Sequence, residues 1–127
     1  MRVCIVGGPR TGKTTLASTM LEPLHTDDLI GALDWSAVSE IIATQWLPKL
    51  GPWVIEGVAL VRALRKWLER NATGKPCDRV IVLRTPKVEL TPGQAAMAKG
   101  HETIWREVEP QLRKRGVEIV EGDQHGN

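Results

Sequence analysis

Residues 7–14 read Gly7-Gly8-Pro9-Arg10-Thr11-Gly12-Lys13-Thr14 and match the pattern G-x-x-x-x-G-K-[ST] at every fixed position. The apolar run 3–6 precedes this stretch and a helical pattern over 13–22 follows it, which is the strand–loop–helix context that the pattern requires. In that context the loop amides and the start of the helix present N–H groups to phosphate. The stretch therefore predicts nucleotide phosphate binding rather than a glycine-rich turn that matches by chance.

The residue types at the fixed positions of this stretch suit that chemistry. Gly7 and Gly12 permit backbone angles and close approaches that a Cβ would block. Lys13 is expected to contact the β- and γ-phosphates of ATP or another NTP, and the Thr14 hydroxyl is expected to coordinate Mg²⁺. The predicted nucleotide-binding residues are Gly7, Gly8, Pro9, Arg10, Thr11, Gly12, Lys13, Thr14 and Thr15.

Length and composition are those of one soluble globular domain. The chain has 127 residues, of which 42% are apolar and 25% charged. We expect a single domain over 1–121 and a loose tail over 122–127. No apolar run approaches the roughly 18 residues of a membrane span, and the run at the N-terminus is too short for a signal peptide. We therefore expect a cytoplasmic protein with no membrane partner. The net charge of +2 argues against a dedicated nucleic-acid binder.

Apolar runs and helical periodicities alternate along the chain. We predict strands at 3–6, 24–26, 53–55, 80–83 and 117–120, and helices at 13–22, at 36–47 and from 60 to 71–74. Thr91, Pro92 and Gln94 form a helix start; we expect that short helix to stop at Gly100, before a last helix that Gly116 ends. The alternation predicts an α/β fold with three layers, in which helices cover both faces of a five-stranded parallel sheet.

These motifs resemble those of the small P-loop kinases, which include nucleoside, nucleotide and metabolite kinases and the kinase domain of phage-type polynucleotide kinases. The likeness rests on residues 7–14, on His25-Thr26-Asp27-Asp28, on Val54-Ile55-Glu56-Gly57 and on the order of elements. It implies the P-loop NTPase fold and transfer of the γ-phosphoryl group of ATP–Mg²⁺ to a nucleoside, a nucleotide, the 5′ end of a nucleic acid or a small metabolite. It also implies that Asp27 acts as the base toward the acceptor hydroxyl, with Asp28 as its neighbour.

Side chains near the predicted strand ends supply further candidates. Asp27 can accept a proton from the acceptor or hold a water on Mg²⁺, with helix capping as the alternative. Glu56 follows a buried strand and is expected to hold a Mg²⁺-bound water or contact the substrate, unless it faces solvent. Arg62 suits phosphate or carboxylate binding, unless it belongs to a solvated helix face. The predicted catalytic residues are Lys13, Asp27 and Arg10, the metal ligands Thr14 and Glu56, and the substrate contacts Asp27, Asp28, Glu56 and Arg62.

Small P-loop kinases usually have a lid with arginines between the fourth strand and the last helix, and here this sequence departs from the pattern that it resembles. The lid-like segment 84–106 is short and carries Lys87 but no close pair of arginines. Arg10 is then the candidate for neutralising the transferred charge, with a solvent-facing loop residue as the alternative. His101 lacks a metal-spaced partner and is interpreted as a helix-start residue. Because the lid is thin, an NTPase, a nucleotide-dependent switch or a binding module without kinase activity remains the alternative function.

Overall fold

A five-stranded, all-parallel sheet forms the centre of the protein. The computed structural model describes residues 1–20, 22–31 and 34–122. The strands pair in the order β2-β3-β1-β4-β5, and this arrangement confirms the predicted parallel α/β sheet. Their bounds are β1 (Arg2–Gly7), β2 (Leu24–His25), β3 (Trp53–Glu56), β4 (Arg79–Leu83) and β5 (Glu118–Glu121).

Helices connect the strands. They are α1 (Lys13–Ala17), α2 (Trp35–Ile41), α3 (Leu60–Arg70) and α4 (Pro92–Lys114), and a π-helical turn, Ile42–Trp46, continues α2. Side chains cap two of the helix starts: Asp34 accepts a hydrogen bond from the backbone N–H of Ala37 at 2.7 Å, and Thr91 forms the predicted capping box with Gln94. Among the described residues, no helix has both the length and the apolar character needed to cross a membrane.

Alternate side chains of the central strand enter two separate hydrophobic clusters. Cys4 and Val6 belong to the larger cluster, to which α2, α3 and α4 contribute, whereas Val3 and Ile5 belong to a smaller one that includes Ala17 of α1. Because successive strand residues point to opposite faces of a sheet, helices lie on both faces. The architecture is compatible with three layers, and it fixes the end of β1 in a buried, rigid setting.

The first helix is shorter than predicted: it ends at Ala17 rather than at residue 22. The hydroxyl of Ser18 donates to the carbonyl of Thr14 at 2.8 Å, and that of Thr19 donates to the carbonyl of Leu16 at 2.7 Å. Such side-chain bonds compete with a regular helical ladder. Turns therefore follow α1 where the periodicity alone predicts further helix.

The predicted break at Gly100 is wrong, because α4 runs without interruption through Gly100 and Pro110. A stripe of side chains spaced for one helix face is buried along it: His101, Ile104, Trp105, Val108 and Leu112. Their burial outweighs the cost of about 1 kcal/mol for a glycine inside a helix. The lid-like segment is thus an irregular stretch with bends, 84–91, followed by the N-terminal half of α4. Of the predicted tail, 123–127 lie outside the described residues.

Candidate functional site

The loop 7–14 joins β1 to α1 in a conformation that needs its two fixed glycines. A Cβ at Gly7 would lie 2.5 Å from the carbonyl oxygen of Leu83, and Gly12 has a φ of 90°. Arg10 also has a positive φ, 64°, which is uncommon outside glycine. Its carbonyl accepts a hydrogen bond from the N–H of Lys87 at 2.7 Å. The loop is therefore fixed on one side by β4 and on the other by the lid-like segment.

Lys13 is buried at the centre of this loop, with 8% of its surface exposed. Its Nζ donates to the carbonyl of Gly8 at 2.6 Å and lies 3.4 Å from Oγ1 of Thr11. Burial lowers the pKa of Lys13, whereas the carboxylates of Glu56 and Asp27 act in the opposite direction. The structure thus places an ammonium group within the electrostatic reach of both predicted acids.

Glu56 is almost fully buried, with 2% exposure, at the carboxyl end of β3. Its Oε1 accepts a hydrogen bond from the Thr14 hydroxyl at 3.3 Å and lies 2.6 Å from Nδ1 of His25. The alternative that Glu56 faces solvent is therefore wrong. Sequence reasoning assigned no role to His25; the contact depends on the pairing of β2 with β3, which sets His25 beside Glu56.

The oxygen atoms of Thr14 and Glu56 are of the kind that Mg²⁺ prefers. This ion commonly takes one or two protein oxygens and completes its shell with water and phosphate oxygens. Within the described ranges there is no group of three or more His, Cys, Asp or Glu residues able to hold a metal by themselves. The hydroxyl–carboxylate pair fits an ion that is shared with a bound phosphate.

A main cavity of about 500 Å³ opens between this loop and the neighbouring strand ends. Its size is within the roughly 300–1,000 Å³ of small-molecule sites. Loop residues 9–15 form one side. The other side consists of Asp27, Ile30, Trp35, Glu56, Val58 and Met97. The structure therefore brings Lys13, Thr14, Arg10, Asp27 and Glu56 to a single cavity.

The turn after β3 is pressed against the turn after β2. Gly57 has a φ of 146°, and a Cβ built there would lie 1.6 Å from Oγ1 of buried Thr26. Since Asp27 follows Thr26 and Glu56 precedes Gly57, this contact fixes the relative positions of the two acids. Only glycine leaves room for so close an approach.

Three predicted or discussed residues lie elsewhere. Asp28 is exposed, and the structure does not place it among the residues that line the main cavity. Arg62 is also outside the main cavity: its guanidinium carbon lies 5.8 Å from the centroid of the Trp35 ring. His101 is buried inside α4 rather than at a helix start, because the helix begins nine residues earlier, at Pro92.

Comparison of the chain with protein-family models, with curated proteins and with solved structures finds no significant match.

Proposed function

We propose that the protein is a small kinase with a three-layer P-loop NTPase fold, which transfers the γ-phosphoryl group of ATP–Mg²⁺ to a hydroxyl or phosphate acceptor. The observation that carries this proposal is the main cavity, which has Lys13 and the loop amides on one side and Asp27 on the other. The triphosphate of a nucleotide needs only the first side. The second side supplies walls and a carboxylate for a further molecule.

Phosphate binding falls to the loop and to Lys13. Lys13 Nζ donates to the Gly8 carbonyl, and a phosphate oxygen is a stronger partner for an ammonium because it carries charge. Arg10 also lines the cavity and supplies a second positive charge for the transferred group. Both residues act by stabilising negative charge, which is the main requirement in phosphoryl transfer.

Thr14 and Glu56 are the residues that would hold Mg²⁺. When bound, the ion neutralises charge on the β- and γ-phosphates. His25 Nδ1 and the Thr14 hydroxyl both contact Oε1 of Glu56, so that Glu56 is held by two elements, β2 and α1. We propose that this pair of contacts orients Glu56 before the nucleotide arrives.

Asp27 is exposed and lines the cavity, as a residue that contacts an entering acceptor must be. In the proposed reaction the acceptor oxygen forms a bond to the γ-phosphorus while the bond from that phosphorus to the β–γ bridging oxygen breaks, releasing ADP. Where the acceptor is a hydroxyl, its proton passes to Asp27. Because the transition state is loose, orientation of the hydroxyl contributes as much as proton acceptance.

The proposal is tested by transfer from labelled ATP to a panel of hydroxyl and phosphate acceptors, measured alongside equilibrium ATP binding. Asp27→Asn keeps the size and removes the charge, and it should lower single-turnover transfer by roughly 10²-fold, the low end for a positioned base. ATP affinity should change little, since the role of Asp27 is in the transition state. Lys13→Ala should abolish detectable ATP–Mg²⁺ binding in a folded protein.

The matched control is Asp28→Asn, the same chemical change at the adjacent residue outside the main cavity, which should leave transfer nearly unchanged. Undiminished transfer by Asp27→Asn would remove Asp27 from the chemistry. If Asp27→Asn instead loses ATP–Mg²⁺ affinity and no acceptor is found, the results favour a nucleotide-dependent switch over a kinase as the function of the protein. Wild-type affinity in Lys13→Ala would contradict nucleotide binding by the loop.

A further inference from the structure

A second cavity of about 220 Å³ adjoins the main one and shares Trp35, Val58 and Met97 with it. It extends away from the loop 7–14, between α3 and α4, and Arg62 and His101 also line it. Its volume is below the roughly 300–1,000 Å³ of complete small-molecule sites. A ligand that enters it therefore places one part there and the rest in the main cavity.

The walls of the second cavity favour a flat, uncharged ring. Its lining is mostly apolar, and none of the described residues that line it is acidic. Trp35 and Met97, which line it, are 36% and 39% exposed. The guanidinium carbon of Arg62 lies over the Trp35 ring, 5.8 Å from its centroid, and Arg62 is absent from the ion pairs formed by the described residues. Aliphatic hydroxyls would lose hydration against such walls without gaining partners.

His101 also lines the second cavity. Its side chain is buried, with 8% exposure, and its Nε2 is a buried atom that has no hydrogen-bond partner within the described part of the chain. Burial, and after it the charges of Lys13 and Arg84, lower the pKa of His101 to about 4. A neutral imidazole can donate at one ring nitrogen and accept at the other, so it is suited to the polar edge of a heterocycle.

We infer that the second cavity is the subsite for the ring of the acceptor, and that the acceptor is a nucleoside, free or phosphorylated. The base would stack on Trp35, with its polar edge toward His101, and the sugar would extend into the main cavity toward Asp27. The identification as an acceptor rests on the proposed kinase function. Binding of the ring does not depend on that function, and it is therefore the quantity to measure.

The experiment titrates the full chain with the four common ribonucleosides, and with ribose and glycerol, with and without a non-hydrolysable ATP analogue and Mg²⁺. Calorimetry and tryptophan fluorescence report binding. At least one nucleoside should bind more than tenfold tighter than ribose. Trp35→Leu should weaken that nucleoside by roughly 5- to 150-fold, the range for loss of one base–aromatic stack.

Matched variants separate stacking from general damage to the protein. Trp67 is another indole with an arginine, Arg115, over its ring, but it does not line the main or the second cavity. Trp67→Leu should therefore leave nucleoside affinity unchanged. His101→Leu should weaken the nucleoside roughly two- to tenfold, the value of one hydrogen bond, and His101→Asn should recover part of that loss. Circular dichroism confirms that each variant is folded.

The outcomes for the ring subsite and for the kinase function are distinguishable. Nucleoside binding that depends on Trp35, without transfer to any nucleoside, supports the ring subsite and counts against the kinase. Efficient transfer to glycerol or ribose, with no preference for nucleosides, overturns the ring subsite and leaves the kinase standing. Absence of nucleoside binding, or equal affinity in Trp35→Leu and wild type, also overturns the ring subsite.

Discussion

Replacing Gly57 with alanine tests whether the contact between the turns after β2 and β3 holds the site together. A Cβ at this position would lie 1.6 Å from Oγ1 and 2.7 Å from Cβ of Thr26. Thr26 is fully buried, at 0% exposure, so its side chain has no free space into which to rotate. The φ of 146° adds backbone strain to any residue with a Cβ.

The expected loss follows from these two effects. A non-glycine residue in such a backbone conformation costs about 1–3 kcal/mol, and overpacking a buried contact costs about 1–3 kcal/mol more. We expect Gly57→Ala to lower the free energy of unfolding by about 2–6 kcal/mol. That is a large part of the stability of a typical domain, about 5–15 kcal/mol.

Urea unfolding followed by circular dichroism measures this loss, with Gly93→Ala as the matched control. A Cβ at Gly93, in the first turn of α4, meets no atom within 4 Å, so that variant should be at least as stable as wild type. A loss in Gly57→Ala within about 0.5 kcal/mol of the control, the usual size of a surface effect, would refute the argument.

A second genetic background, Thr26→Ala, removes part of the clash and leaves the backbone strain unchanged. It removes Oγ1, a buried atom without a hydrogen-bond partner among the described residues, together with the buried Cγ2, and loss of a buried methyl group lowers stability by itself. In that background the contacts at 1.6 Å with Oγ1 and at 2.9 Å with Cγ2 are gone, while the 2.7 Å contact with the Cβ of residue 26 and the unfavourable φ remain. Gly57→Ala should then cost less than in wild type, and a double-mutant cycle gives the difference. Equal costs in both backgrounds would show that Oγ1 and Cγ2 of Thr26 contribute nothing to the loss.

Two further predictions concern the metal and the buried histidine. Thr14→Ala should weaken ATP–Mg²⁺ binding in calorimetry but leave metal-free ATP binding nearly unchanged. Thr14→Ser keeps the hydroxyl and should restore the affinity for ATP–Mg²⁺. Equal losses of affinity with and without Mg²⁺ would contradict a metal role for Thr14. His101 has a folded pKa of about 4 against 6.5 for an ordinary histidine, so the unfolded chain binds the extra proton and stability falls as pH drops below 6.5. Between pH 7.5 and pH 5, wild type should lose about 2 kcal/mol more of its unfolding free energy than His101→Gln in urea titrations; parallel losses would show that His101 does not titrate as inferred.

The conformation of loop 7–14 was predictable because its geometry is local. From Gly7 to Thr14 the spacing is set by consecutive backbone units, and a buried strand fixes where the loop begins. Glu56 was predictable for a related reason, since a charged residue at the end of an apolar strand lies at the ligand edge of a parallel sheet. His25 was not predictable as its partner, because the contact joins residues 31 positions apart through a strand order that the sequence does not state.

The error in α4 has a different cause, and it bears directly on the proposed ring subsite. Gly100 and Pro110 are local signals for a helix end, but burial of a continuous stripe outweighs them. Because the helix continues, Met97, His101 and Ile104 lie at positions i, i+4 and i+7 on one face, and all three line the second cavity. A break at Gly100 would remove that alignment.

Gly100 itself also lines the second cavity, and a Cβ there would meet no atom within 4 Å. Alanine would therefore fit and, by helix propensity, would stabilise α4 by about 1 kcal/mol. The backbone does not require glycine at this position, since its φ is not positive. What glycine provides is a stretch of cavity lining without a side chain. In the proposed ring subsite a side chain at residue 100 would reduce the space for the base, so Gly100→Ala should weaken nucleoside binding while it stabilises the helix.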